Sequence, residues 1–488
     1  MNSPHKPAYL CAAPYTEHFR GLSSYARTLD YYRIIYQEGP FEGLRYNERG
    51  VVAEIIDQVN YDYSLFEDPL PLRDLLDAFP LEAGYGVPDG SHEIGPFIRY
   101  LEMCRADHFS EHAGCRWGAS YRKAIRCSAV GVGHGVTGTL TNVIASIVRT
   151  RQKQSTNIVT VAPNYCIAED AAISCGLHAR VLQCREEDKF LPVNSVLMAL
   201  CDEGTAAMCI TVPTNPSHDT WTLAEAHAVA DLLKWCQDHE VFFVVDAIFQ
   251  DQAHSNQLPL EPFVLSGSDR CLVKVFGPSK DRPFACGHRV GYYIGDHRIG
   301  EAGYQLSHTT LNSPNAYAKA WLAFDLFFRA MILQNRQPNQ ADCELFTDTF
   351  LFGEHFRDVG AREVSEIISS KGLFARYCRV VGETRAKLRR TMESVHDWVS
   401  DQTCFVTREL PKFGNSLFVK VSPEFYQGND HEFFWDVLTK TNVGLLVGNA
   451  FGLPFPSDDV WFRIVCVSEE ADTLVGRMGR IAAFLHAD

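Results

Sequence analysis

From about residue 120 the chain alternates short apolar runs with segments of helical period. The runs CSAVGV (127–132), NIVTVA (157–162), AAMCITV (206–212), VFFVVDAIF (241–249), CLVKVF (271–276) and RVGYYIG (289–295) have strand length and are rich in β-branched and aromatic residues. Their alternation with helical segments predicts βα units and a mostly parallel sheet covered on both faces. One helix, Leu223 to about His239, has a defined start, since Thr222 and Glu225 make an S/T-x-x-E capping box. After about residue 345 the texture changes. A long helix is predicted over 373–395, then strands in CFVTREL, SLFVKVS and VWFRIVCVS, then a last helix through ADTLVGRMGRIAAFLHA, which together read as a smaller α+β domain. Residues 1–80 are rich in aromatic and turn residues, with a helix expected near VVAEIIDQV (51–59). The stretch 330–370 is polar and reads as an irregular insertion. The expected division is an N-terminal extension (1–80) packing on the small domain, a large α/β domain (81–345) and a small C-terminal domain (346–488).

A length of 488 residues allows two or three domains, or one large α/β unit and a smaller one. With 46% hydrophobic and 22% charged residues, disordered, collagen-like and coiled-coil classes are excluded. A formal charge of −15 argues against nucleic-acid and membrane partners, because such a surface repels phosphate backbones and anionic lipid heads. The 16 cysteines include no C-x-x-C pair and sit mostly in apolar runs, as buried reduced thiols do. The start lacks the basic-then-apolar order of a signal peptide, and no window reaches the ~18 apolar residues of a membrane span. The expectation is a soluble cytoplasmic protein.

Three patterns compete for the chemistry. Gly133-x-Gly135-x-x-Gly138 lies between a strand and an apolar helix, as a dinucleotide fingerprint does, but the next strand ends in VTVAPNY without the required carboxylate. What survives is a glycine-rich approach to a helix N-terminus, which can cradle a phosphate. His108-x-x-Glu111-His112 has the order of some zinc peptidases, yet in a chain with 18 histidines it reads better as a solvated helix face, and no metal is expected. The third pattern is a constellation. Asp246 ends one strand, Asn215 follows another, and Lys280 lies just past a third, with Arg289 nine residues on. In a parallel sheet these strand ends share the edge where ligands bind. A lysine for a Schiff base, an aspartate for a pyridinium nitrogen and an arginine for a phosphate are the set that pyridoxal 5'-phosphate (PLP) requires. Singly, each has a plain structural reading as a loop charge, a strand-end cap or a turn; their order and strand-end placement carry the assignment.

At these residues the sequence resembles the class I/II aminotransferase family, the aspartate-aminotransferase-like PLP enzymes of fold type I, from about residue 62 to the C-terminus. The resemblance implies a seven-stranded sheet in a large PLP-binding domain, a smaller C-terminal domain and a homodimer. GYGVPDGSHEIGPFIRYL resembles the Y-x-x-x-x-G segment, implying that Tyr85 of the partner subunit reaches the phosphate. GHGVTGTLTNVI resembles the phosphate loop, with Val136 and Thr137 as donors. APNYCIAED supplies Tyr165 to stack on the cofactor ring. Asn215 matches the asparagine at the ring hydroxyl, Asp246 the pyridinium partner, and Ser279, Lys280 and Arg289 the S-K-x8-R signature. GNAFGLPFPSDDVWFRIVCV resembles the F-G…R segment, which makes Arg463 the clamp for the substrate α-carboxylate; the plain alternative is an edge-strand charge facing solvent. By this resemblance Lys280 is the base that moves the Cα proton, with Asp246 and Tyr165 acting on the ring.

Two positions depart from the family. Phe249 stands where a tyrosine often donates to the ring oxygen, and losing that donor is expected to raise the pKa of the lysine–cofactor imine. Gly277 stands where a serine often binds phosphate, thinning the phosphate set unless His134 or Thr139 substitutes. These departures point to an aminotransferase that acts on an α-amino acid in a specialised biosynthetic pathway. The alternative keeps the cofactor but performs β/γ-elimination, γ-replacement or decarboxylation, as in 1-aminocyclopropane-1-carboxylate synthase-like members acting on S-adenosylmethionine-type substrates. No second arginine for a dicarboxylate stands out.

Overall fold

The computed structural model describes residues 19–20, 22–36, 53–58, 91, 93–114, 119–254, 261–282, 285–311, 314–351, 361–370 and 372–487. Among them the strands are β1 (Glu54–Ile55), β2 (Ala129–His134), β3 (Asn157–Ala162), β4 (His178–Gln183), β5 (Thr205–Thr211), β6 (Phe242–Asp246), β7 (Leu272–Phe276), β8 (Val290–Gly295), β9 (Phe405–Val406), β10 (Ser416–Val421), β11 (Val443–Gly444), β12 (Leu446–Val447) and β13 (Trp461–Val465). Strands β2 to β8 form a seven-stranded sheet in the order β2-β8-β7-β6-β5-β3-β4. Only β8 runs antiparallel to its neighbours, β2 and β7; the other pairs are parallel. Helices cover both faces, and every residue of β3, β5, β6, β7 and β8 is buried. That is why these strands are continuous apolar runs rather than alternating ones.

The six strands expected in this region are present, each within two or three residues of its expected bounds. The seventh, β4, was not anticipated. It pairs only with β3, at the sheet edge, and its residues HARVLQ are half-exposed or exposed, so nothing forces an apolar run there. The Thr222–Glu225 capping box is formed, with the Thr222 N–H donating to Glu225 Oε2 at 2.7 Å. It opens a single 3₁₀ turn that leads into the helix Ala226–His239.

Two expectations fail. The 51–59 segment is not helical where it is described: Glu54–Ile55 is β1, parallel to β11. Its backbone bonds go to neighbouring strands, with Ile56 N–H donating to Gly444 at 3.0 Å and Ile56 C=O accepting from Val465 at 2.9 Å. An isoleucine pair suits such a half-buried strand position, and tertiary pairing outweighs the short helical period. The 330–370 stretch is not irregular where it is described either. Helices Gln340–Phe346 and Ala361–Ser370 occupy it, the first started by a capping box between Asn339 and Asp342, a signal overlooked because asparagine replaces serine or threonine.

The C-terminal sheet has the order β12-β13-β10-β9 and is antiparallel. The long helix Leu373–Ser400 extends past the expected end and packs against the last helix, Ala471–Leu485. A helix at Asp430–Thr441 was not foreseen. The N-terminal helix Ser24–Tyr36 docks on the turn Gly448–Phe451, where the Thr28 hydroxyl donates to Ala450 C=O at 2.7 Å. Together with β1 it brings the N-terminal segment to the C-terminal ends of the parallel strands.

Candidate active site

Strands β5, β6 and β7 run parallel, so their C-terminal ends open on one edge of the sheet. Past β5 lies Asn215; β6 ends at Asp246; past β7 comes Gly277-Pro-Ser-Lys280. Lys280 acts electrostatically on both Asp246 and Asp57, drawing both carboxyls downward, so its ammonium lies within range of each. The structure therefore brings Asp246, Lys280 and the Arg463 cluster described below to a common site.

The Asp246 carboxyl is buried. Burial pushes its pKa up to about 7, against the opposing effects of the Ile248 N–H, which donates at 3.1 Å, the Thr211 hydroxyl at 3.5 Å and Lys280. A buried carboxylate with so few donors can accept a further cation beside it. Phe249 is buried, and its ring lies 4.5 Å from that of His218, edge to face. His218 takes a left-handed backbone (φ +57°), and its Nε2 lies 2.7 Å from Ser416 Oγ. Its Nδ1 has no hydrogen-bond partner, and burial holds the imidazole well below its usual pKa. Nothing in the residues around His218 singles it out in the sequence.

At the other end of the site, β2 turns into the helix Gly135–Thr150. Gly135 has φ +66°, its N–H donates to Arg289 C=O at 2.8 Å, and a Cβ here would come within 2.8 Å of Arg289 Nη2. Only glycine lets the exposed Arg289 side chain lie across the start of this helix. Val136 and Thr137 follow in its first turn, Val136 buried and Thr137 exposed. A 16-residue helix whose N-terminus carries an arginine is a suitable seat for a phosphate. Thr139 does not substitute for the missing serine, because its buried hydroxyl donates to Gly135 C=O at 2.7 Å. Gly277 is a packing necessity: a Cβ there would stand 2.7 Å from Val136 Cγ2. Ser279 is half-buried beside Lys280. These groups, with Asp246 and Lys280, fit PLP.

Arg463 is not an edge-strand charge. It lies on β13, inside the sheet between β12 and β10, and is buried. Its Nη1 donates to Asn215 Oδ1 at 2.9 Å, and its guanidinium lies 4.7 Å from the Phe451 ring centre. Its ion-pair partner comes from an unexpected quarter. Nε donates to the Asp57 oxygens at 3.0 and 3.3 Å, and Nη2 to Oδ1 at 2.5 Å. Asp57 lies two residues past the end of β1. Burial pushes its carboxyl up to about 6 even beside Arg463. Tyr165 is half-buried close by, its phenol pushed up to about 12 by burial. Tyr32 completes the cluster from the N-terminal helix, its hydroxyl 3.5 Å from Asp57 C=O.

Sequence reasoning missed Asp57, Tyr32 and His218. Asp57, one of two acids in VVAEIIDQV, was a signal, but read as a helix it pointed nowhere. Tyr85 lies outside the described residues. His108 and His112 share a face of the helix Gly95–Ala113, with rings 4.7 Å apart, and no metal-binding group of three or more His, Cys, Asp or Glu occurs among the described residues. A cavity of about 770 Å³ is lined by His218, Trp221, Arg408 and Lys412 but by none of Asp246, Lys280 and Arg463. It borders the site rather than forming it. No described helix is long and apolar enough to cross a membrane.

Residues 86–349 match the family model described as aminotransferase class I and II. No curated protein matches the chain. Among solved structures, an aromatic aminotransferase from Pyrococcus horikoshii superposes with a TM-score of 0.63 at 16% identity, over 89% of this chain and 96% of that one. An aspartate aminotransferase from Thermotoga maritima gives 0.62 at 16% identity, over 97% and 99%. That of Thermus thermophilus with maleate gives 0.63 at 15%, over 95% and 100%. At these identities the likeness shows the fold.

Proposed function

Since the chain belongs to the aminotransferase class I and II family, whose members are PLP-dependent transferases, we propose that it moves an amino group between an α-amino compound and a 2-oxo acid in a specialised biosynthetic pathway. The observation that carries this reading is the convergence of Asp246, Lys280 and the Arg463–Asn215 pair at one sheet edge. Bound there, PLP supplies an electron sink for a substrate Cα bond.

The chain's own residues then have distinct tasks. Lys280 would hold the cofactor, and its amine would move the proton at the substrate Cα. Asp246 pairs with the protonated ring nitrogen, and that cation offsets the burial that otherwise keeps its carboxyl neutral. Tyr165 stacks on the ring, and Asn215 holds both the ring hydroxyl and Arg463. Phe249 packs where a hydroxyl donor is absent. Val136, Thr137, Ser279 and Arg289 hold the phosphate, joined by Tyr85 of the partner subunit in a homodimer. Arg463 receives the carboxyl end of the substrate.

The test is borohydride reduction of the yellow purified protein followed by peptide mapping. The label is expected on Lys280; a label on another lysine, or none, removes the PLP assignment. An amino-compound panel followed by absorbance then reads the reaction. Conversion to the pyridoxamine form with release of an oxo product supports transfer, whereas loss of a side-chain fragment without one would mean lyase chemistry.

A further inference from the structure

A guanidinium has five N–H donors and two edges on which a carboxylate can make two parallel bonds. In Arg463 the Nε–Nη2 edge is filled by Asp57, at 3.0 Å from Nε and 2.5 Å from Nη2, and one Nη1 hydrogen is given to Asn215 at 2.9 Å. One N–H remains on each Nη. The pair is dry: the exposed fraction is 3% for the Arg463 side chain and 0% for Asp57.

Asp57 is also fixed. The residue before it is bonded on both sides, its N–H to Gly444 and its C=O to Val465. The Leu446 N–H donates to the Asp57 carboxylate, and the Tyr32 hydroxyl reaches its carbonyl at 3.5 Å. This is a built-in counter-ion rather than a side chain on a loose loop. A substrate carboxylate arriving here would meet an arginine already neutralised and a second carboxylate close by in a desolvated site, where like charges repel strongly. A neutral carbonyl requires only donors, and the two free N–H groups supply them.

We propose that Asp57 sets the substrate class: the site takes an amino compound whose carboxyl is masked as an ester, thioester or amide, in preference to a free α-amino acid. This rests on the aminotransferase reading of the site.

The experiment is calorimetric titration of the holoenzyme with α-methyl amino acids, which have no Cα proton to lose, each offered as the free acid and as its methyl ester. Wild type is expected to bind the ester about tenfold or more tightly than the acid, and Asp57→Asn to shift that ratio toward the acid by about tenfold or more. A wild-type preference for the free acid, or a ratio that Asp57→Asn moves by less than about twofold, overturns the proposal. Should Asp57→Asn fail to fold, the wild-type ratio alone decides. Lys280 labelling separates the two readings: with Lys280 labelled and the free acid preferred, only the role of Asp57 falls, whereas without that label the aminotransferase assignment falls too.

Discussion

Lys274 lies between Glu102 and Glu261, at 2.5 Å from the latter, whereas Arg463 has Asp57 as its one carboxylate partner. The Lys274 cluster is continuous with a wider network. Arg105 reaches Glu102 at 3.3 Å and Asp251 at 2.5 Å; Arg329 reaches Asp251, Asp281 and Asp325 at 2.5, 2.7 and 2.6 Å; Arg282 reaches Asp325 at 3.1 Å and the Tyr377 hydroxyl at 3.0 Å. All these side chains are largely or wholly removed from water, and each cation has two or more carboxylate partners. Losing one leaves the others compensated. Since Asp281 and Arg282 follow Lys280 directly, this redundancy holds the lysine loop in place. Arg463 has one carboxylate and one amide, so a charged ligand that arrives upsets its charge balance and a neutral one does not. Redundant pairing fixes structure, and sparse pairing leaves a site open to chemistry.

The largest effect expected from this contrast is at position 463. Arg463→Met leaves Asp57 buried without its paired guanidinium, which costs roughly 3–5 kcal/mol. Arg105→Met should cost less, because Glu102 keeps Lys274 and Asp251 keeps Arg329. Urea midpoints of the two variants measure the difference, and adding Asp57→Asn to Arg463→Met should restore most of the loss. The Arg463 variant should also retain bound PLP while its amino substrate binds more weakly by roughly 1.5–3 kcal/mol, the value of a hydrogen bond to a charged donor. Arg463→Lys should rescue binding only in part, for want of the planar fork. Equal urea midpoints for Arg463→Met and Arg105→Met would remove the distinction between redundant and sparse pairing.

The same contrast explains what could be read from the chain. The parallel sheet was legible because strands buried on both faces must be apolar throughout, and Asp246, Asn215 and Lys280 stood out as polar residues at the ends of such runs. Arg463 was legible as a charge within an apolar strand. Asp57 was not, because its partner is 406 positions away and the local pattern around it fits a short helix as well as a strand. His218 was hidden for a similar reason: its contacts to Ser416 and Phe249 form only after folding. The edge strand β4 and the two-residue strands β1, β11 and β12 are too polar or too short to impose a period.

A middle-sized effect is expected at Asp246, and its sign follows from proton counting. Burial raises this carboxyl from 3.8 to about 7, so the folded apoprotein keeps the proton across a range in which the unfolded chain has released it. The native state then binds more protons, and stability falls as pH rises from about 4 to about 7, levelling off above that. At about 1.4 kcal/mol per pH unit the contribution is a few kcal/mol. Asp246→Asn should remove this slope, so that the apo variant gains on wild type as pH rises. Saturating PLP should flatten the wild-type slope too, because a cation beside the carboxylate lowers its pKa. Urea titrations of both apoproteins between pH 5 and 8 measure it, and an unchanged slope in Asp246→Asn would place the proton uptake elsewhere.

The smallest effect concerns the phosphate end, where the contrast is between packing and binding rather than between charges. Gly277 has no room for a side chain: a Cβ would sit 2.7 Å from Val136 Cγ2, 3.3 Å from Ile248 Cδ1 and 3.4 Å from Val290 C=O. Valine is stiff at χ1, so Val136 cannot swing its methyl away cheaply. Gly277→Ser alone should therefore destabilise by about 1–2 kcal/mol through overpacking. Val136→Ala removes the clashing methyl, and the pair Val136→Ala with Gly277→Ser should recover most of that loss. The new hydroxyl then stands beside the Gly135 turn and adds a donor to the phosphate set, so PLP should bind two- to tenfold more tightly than in Val136→Ala alone, the value of one hydrogen bond of about 0.5–1.5 kcal/mol. Urea midpoints and equilibrium dialysis of PLP measure the two parts separately. If Gly277→Ser is as stable as wild type with Val136 in place, the glycine is not required by packing, and the absence of a serine at this position calls for an explanation in the chemistry of the site instead.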